Sequence, residues 1–268
     1  DIHASTLNPQ TEYFHYSLIL KDLTNKQSKV NHVSGIERSI FYFERAGPVN
    51  TEKAIEIAKR RAMELQLRHM VVASLSGESA LKTAEAMKDT NVKVVCVTFR
   101  AGEAYNIKSL EKSSIWSEIP EMTKVLQKWK KQGLMIIPGP SSEVKKRLRA
   151  LHAAVVTATD IGYNINASLM RCLEMKTYME IFKEALRLLC PGVHVCIFTT
   201  MTAADSGLIP VDKEVVSLGG IEHGLDTALV IKPSYSDEIF DKERGLEIRE
   251  IICKPRTMLG RSGFYLER

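Results

Sequence analysis

The sequence is short of several things, and each shortage narrows what the protein can be. No apolar run approaches the ~20 residues that a membrane-spanning helix requires, so a soluble chain is expected. Cysteines number only five, with no Cys-x-x-Cys pair, and the seven histidines are scattered without a His-x-x-x-His spacing. Neither a disulfide framework nor a zinc site is expected. Cys96, Cys172, Cys190, Cys196 and Cys253 read instead as reduced thiols of an intracellular, cytoplasmic protein, three of them inside apolar strand-like runs, and no residue is assigned to a metal. Lysine and arginine exceed the acids by only five formal charges. The two signs alternate rather than collect in blocks, which argues against nucleic acid and membrane surfaces but is compatible with a small anionic ligand. There is no G-x-S-x-G elbow, no G-x-x-x-x-G-K-[ST] loop and no G-x-G-x-x-G after a strand, so the common hydrolase, nucleotide triphosphatase and Rossmann signatures fail. No internal repeat or low-complexity segment is seen, and residues 1–32 show no targeting pattern.

What is present is enough for a large core: 268 residues, 44% of them hydrophobic, fit one large α/β domain. "SIFYFE" (39–44) reads as a strand, followed by a Gly-Pro-Asn-Thr turn and the helix "TEKAIEIAKRRAMEL", capped by Asn50 or Thr51. "HMVVAS" (69–74) is the next strand. A helix from Glu78 to Met87 and the near-continuous apolar strand "VKVVCVTF" (92–99) follow, the latter suited to cover on both faces. A further helix stops at Gly133 before a short strand "LMIIP", and residues 138–189 read as mainly helical. "VHVCIFTTM", "EVVSLGG", "TALVIKP" and "IREIICKP" then read as four short strands with antiparallel pairing. The sum is a three-layer α/β/α sandwich on a mostly parallel mixed sheet, with antiparallel strands near the carboxyl end. Residues 1–38 read as an appended arm, 39–258 as the domain and 259–268 as a tail.

Three loops could carry chemistry. In "HMVVASLSGESALKTAEAM", Ser74, Ser76, Gly77, Glu78 and Ser79 lie between a strand's carboxyl end and a helix's amino end. Unpaired N–H groups and the positive end of the peptide dipoles suit an anion there, and capping by Ser76 is the plainer alternative. In "TTMTAADSGLIP", Asp205 and Ser206 offer acceptors to a ligand or tie down an Asx turn. In "LGGIEHGLDTALVI", Gly219, Gly220, Gly224 and Asp226 suggest close backbone approach or a flexible hairpin, with His223 read as a surface loop residue.

These same stretches carry a resemblance. The strand, serine-glycine loop, helix and strand of "HMVVASLSGESALKTAEAM…VKVVCVTFRAG", and the pair "EVVSLGG" and "DTALVIKP", resemble the carboxy-terminal domain of pyruvate kinase. "GPVNTEKAIEIAKRRAMEL", "TAADSGLIP" and "REIICKPR" are similar to the stand-alone family built on that domain, so the likeness spans about residues 39–256. In the kinases the serine-glycine loop and the loop between the last strands face each other and, in some members, hold the phosphates of a sugar bisphosphate. The resemblance therefore implies a phosphorylated small molecule held by Ser74, Ser76, Gly77, Glu78 and Ser79 opposite Gly219 and Gly220. Thr98, Asp205, Ser206, Asp226 and Thr227 would lie near the remainder of the ligand. Glu78 opposes a dianion, which favours a monophosphate with a large neutral body. The stand-alone family implies flavin mononucleotide (FMN), whose own chemistry would make the protein a flavoenzyme. The alternative is a non-catalytic regulatory or scaffold module sensing a phosphorylated metabolite. The kinase barrel is absent, so no pyruvate kinase activity is expected, and a homo-oligomer is compatible with all of this.

Overall fold

The computed structural model describes residues 35–100, 106–158, 169, 172–175 and 177–257. Chain contacts divide the protein into residues 1–38 and 39–268, and the fold is that of the second unit. Residues 1–34 of the expected arm, residue 258 and the expected tail lie outside the described residues.

Seven strands form one mixed sheet in the order β1-β7-β6-β5-β2-β3-β4: β1 Phe41–Phe43, β2 His69–Ala73, β3 Lys93–Thr98, β4 Ala154–Thr157, β5 Val215–Gly219, β6 Thr227–Lys232 and β7 Glu247–Pro255. Strands β5, β2, β3 and β4 run parallel, with Met70 opposite both Val94 and Val216. The β5-β6 and β6-β7 pairs are antiparallel, and the short edge strand β1 lies parallel to β7. The two runs expected to be neighbouring parallel strands, "HMVVAS" and "VKVVCVTF", are β2 and β3.

Both faces of the central strands are covered, which is why those runs alternate so little in polarity. Helices α1 (Thr51–Glu64) and α2 (Glu78–Met87) bury Ala54, Ala58, Ala80 and Ala84 on one face, against Met70, Val72, Val94, Cys96, Val216 and Leu218. Helix α8 (Pro191–Asp205) covers the other, where Ala203 and Ala204 meet Val71, Val95 and Val215, while Ile197 and Phe198 meet Leu229 and Ile231. Alanine on the helices lets them approach the sheet closely. Helix α7 (Tyr178–Arg187) packs outside α8, and α6 (Ser142–Ala150) packs beside α2 and β4. Between β3 and α6, residues 106–140 form a separate layer of α3 (Ile107–Leu110), α4 (Ser114–Glu118) and α5 (Pro120–Lys131) with its own core around Trp116, Ile119, Met122 and Trp129.

Three elements differ from the sequence reading. "VHVCIFTTM" is not a strand but the middle of α8. Pro191 at its first turn starts the helix, and the Thr199, Thr200 and Thr202 hydroxyls donate to the carbonyls of Val195, Cys196 and Phe198. Because α8 lies between the sheet and α7, it is apolar nearly all round, and no helical period shows in its sequence. The carboxyl-terminal cluster therefore has three strands rather than four. The stretch expected to be mainly helical contains β4, and "LMIIP" makes only an isolated bridge from Ile136 to Asn106.

Candidate ligand-binding site

In a parallel sheet the helix that follows each strand begins at the carboxyl edge, so that edge gathers strand ends and helix amino termini. Here it holds the ends of β2, β3, β4 and β5 and the starts of α1, α2, α6 and α8. The layer formed by residues 106–140 lies over part of this edge, since its core includes Leu75 after β2, Ile221 after β5 and Ala46 before α1.

The serine loop sits where the sequence placed it. Gly77 has φ 80° and precedes α2 directly. A side chain there would meet protein: a Cβ would lie 2.7 Å from Val144 Cγ1 and 3.2 Å from Pro140 Cβ. Gly77, not Ser76, is the N-cap residue, and the serines offer the first turn only weak acceptors. Ser74 Oγ accepts from the Ala80 N–H at 3.4 Å and Ser76 Oγ from the Glu78 N–H at 3.5 Å, both long. Thr98, at the end of β3, donates its hydroxyl to the Leu75 carbonyl at 2.9 Å, which fixes the loop onto the neighbouring strand.

The glycine loop does reach the same edge, since Ile221 shares a core with Leu75. The room its glycines provide, however, is taken by the protein itself. A Cβ on Gly219 would come within 2.8 Å of the Gly192 carbonyl, on Gly220 within 2.5 Å of the Gly224 carbonyl, and on Gly224 within 2.4 Å of Pro48 Cα. Asp226 is buried in this knot, where it accepts from the Gly47 N–H and from the Thr227 hydroxyl, each at 2.9 Å. Burial pushes its carboxyl up to about 6 against both hydrogen bonds. Gly219, Gly220, Asp226 and Thr227 thus tie α1, α8 and the β5-β6 hairpin together rather than line open space. His223 is no surface residue either: it lies half-buried 6.4 Å from the Trp116 ring and 6.0 Å from the Trp129 ring, and burial lowers its pKa.

Asp205 and Ser206 are not brought to this edge. They end α8, whose start is the part touching Gly219 and Thr227. A 15-residue helix is about 22 Å long at 1.5 Å per residue, which puts them toward the opposite edge of the sheet. There the Asp205 carboxylate accepts from the Ser236 N–H at 3.0 Å and the Ser206 hydroxyl donates to the Thr202 carbonyl at 2.7 Å. Asp205 thus ties the end of α8 to the distant 235–238 segment rather than closing an Asx turn of its own.

Among the described residues, a cleft of about 290 Å³ lies on the other side of the serine loop, beyond the ends of β2, β3 and β4. Leu75, Thr98, Phe99, Arg100, Lys145 and Thr157 line it together with the 136–140 segment, which supplies Ile136, Ile137, Pro138, Gly139 and Pro140. Its chemistry is lopsided. Among the described residues two cationic side chains, Arg100 and Lys145, line it, and α6 begins beside it with Ser141 Oγ accepting from the Val144 N–H at 3.2 Å. The positive ends of α2 and α6 add to the same sign. Lys145 makes no ion pair among the described residues. Arg100 and Lys145 were not singled out in the sequence. Arg100 was legible, directly after the β3 run, whereas Lys145 enters only because α6 packs beside β4, which no local pattern announces.

No protein-family model matches the chain. Among the described residues, no helix is long and apolar enough to cross a membrane and no group of three or more His, Cys, Asp or Glu side chains could hold a metal ion.

Proposed function

We propose that the protein binds a phosphorylated small molecule in the cleft beyond β2, β3 and β4, and that its phosphate lies between Arg100, Lys145 and the amino-terminal ends of α2 and α6. The observation that carries this reading is the lining among the described residues: the cations Arg100 and Lys145, the Thr157 hydroxyl and a largely apolar remainder. An anion held this way has point charges, the Thr157 hydroxyl and helix dipoles acting together. The apolar walls of Leu75, Phe99, Ile136, Ile137, Pro138 and Pro140 suit a flat, uncharged body attached to the phosphate. The cleft lies near the lower end of the about 300–1,000 Å³ usual for ligand pockets, so a ligand as large as a flavin nucleotide would extend past its mouth.

FMN is the ligand that the resemblance to stand-alone pyruvate kinase carboxy-terminal domains indicates. When bound, the flavin ring would supply the redox chemistry, and the chain's own part is to hold the phosphate and bury one side of the body. The site moves with respect to the resemblance: the ring would lie against Phe99 and the 136–140 segment, not over the glycine loop, because that loop is filled. The deciding experiment is calorimetric titration of the protein with FMN, riboflavin and inorganic phosphate, alongside a Lys145→Glu variant. FMN is expected to bind at least tenfold more tightly than riboflavin, and Lys145→Glu to lose that advantage while melting at the same temperature. Equal affinity for FMN and riboflavin, or an unchanged advantage in the variant, would remove the phosphate from this cleft. Binding of sugar phosphates without FMN would favour the regulatory module over the flavoenzyme.

A further inference from the structure

Helix α7 is turned the wrong way for a helix that ends at solvent. At 100° per residue, Tyr178, Ile181, Ala185 and Leu188 fall on one continuous stripe, spaced three and four residues apart like the seam of a coiled coil. That stripe faces outward: Tyr178 is 90% exposed, Ile181 69% and Leu188 63%. On the inner side Lys183 is buried, with 7% of its surface accessible, and pairs with Glu180. Met179, Phe182 and Leu186 pack inward beside it, against the α8 cluster. A chain that buries a lysine while exposing a tyrosine, an isoleucine and a leucine on the same helix leaves a second apolar face for another surface.

The patch continues beyond the helix. Phe240 is 78% exposed and its ring sits 5.5 Å from Phe182, so it abuts α7. At about 200 Å² per aromatic side chain, Tyr178 and Phe240 alone offer on the order of 340 Å². The aliphatic side chains bring the patch to roughly 600 Å², the top of the range found for the largest patch on an ordinary monomer. With a polar rim that approaches the about 800 Å² per partner of a standard interface.

We propose that this stripe is the contact between two copies of the chain, packed α7 against α7 about a two-fold axis. A second copy suits it better than a charged partner does, because the stripe carries no ionised side chain. The charges flanking it are already paired within the helix, Glu180 with Lys183 and Glu184 with Arg187. A neutral stripe with three-four spacing is complementary to itself, which an isologous contact demands. The inference stands apart from the ligand reading and uses none of the cleft residues.

Sedimentation velocity of the full chain from 1 to 100 µM tests it. A dimer of twice the chain mass is expected over most of that range, and a monomer at every concentration overturns the proposal. Ile181→Glu places a charge in the seam and is expected to be monomeric with an unchanged circular dichroism spectrum. If it proves unstable, Leu188→Ala serves, with an expected weakening of self-association of at least tenfold. A dimer unaffected by either substitution would put the contact elsewhere and overturn the assignment. A monomer whose Tyr178 face is nonetheless protected from hydrogen exchange would give the stripe to another segment of the same chain, with the same consequence.

Discussion

Replacing Asp226 by asparagine is expected to stabilise the protein at neutral pH and to remove part of its response to acid. The carboxylate is buried with only the Gly47 N–H and the Thr227 hydroxyl as partners, and burial raises its pKa from 3.8 to about 6. Because the folded value lies above the unfolded one, this group favours folding most below pH 3.8, and that contribution is lost as pH rises through 6. At 1.36 kcal/mol per pKa unit the full difference is about 3 kcal/mol, of which about 1.4 kcal/mol separates pH 8 from pH 5. An asparagine at 226 keeps an acceptor for Gly47 and turns its amide toward the Thr227 oxygen, whose hydroxyl hydrogen can turn to Cys190 Sγ 3.4 Å away, so it avoids burying charge. Urea unfolding of both proteins at pH 5, 6, 7 and 8 measures the effect. The advantage of Asp226→Asn should be greatest at pH 8, no more than about 3 kcal/mol, and should shrink by about 1.4 kcal/mol at pH 5. Other titrating groups cancel in the difference between the two proteins. Parallel stability profiles would refute the reasoning, since they would mean that Asp226 titrates alike in the folded and unfolded chain.

Other outcomes follow from the same geometry. Gly77→Ala is expected to cost about 2–4 kcal/mol, from a left-handed backbone and the contact with Val144. It should lower the melting temperature by roughly 6–12 °C, and any loss of ligand binding would come through folding. His194 has both ring nitrogens buried without a partner, against Phe198, and burial lowers its pKa to about 3. A depressed folded value means stability lost as pH falls below the unfolded 6.5, by about 1.4 kcal/mol per unit. His194→Leu should therefore gain stability over the wild type increasingly between pH 6.5 and 4 in urea titrations. A thiol reagent should label only Cys172 quickly in the native protein, because Cys96, Cys190, Cys196 and Cys253 are buried and burial raises their pKa values. All five should react after unfolding. A coupled assay with phosphoenolpyruvate, ADP and magnesium is expected to show no turnover that copurifies with the chain.

The parallel β2-α2-β3 unit was readable because apolar strands, a glycine at positive φ and an alanine-rich helix each follow a local rule. Helix α8 was not readable as a helix, since burial on all sides erases the period that separates helix from strand. The same limit governs the site. A glycine-rich loop signals close approach, but 219–226 does not say whether a ligand or Pro48 and Gly192 do the approaching. Thr98 could be placed at a strand end from sequence. The helical layer of residues 106–140 covers part of the edge, and only the packing of α6 beside β4 shows which gap remains open.

The sheet order also bears on how the chain is assembled during synthesis. Among the described residues strand β1 pairs with β7 alone, so Phe41 lies beside Cys253 across more than two hundred intervening residues. Strand β2 pairs early with β3 but acquires its other neighbour, β5, only after α8 has emerged. A ribosome-bound chain stopped before Val215 therefore exposes one unpaired edge of β2, and a chain stopped before Glu247 still leaves β1 without its partner. Closing so long a loop gives no return until the end of the domain is made. The domain is thus expected to gain protease resistance in a late step, which a series of stalled chains ending between Val215 and Pro255 would resolve.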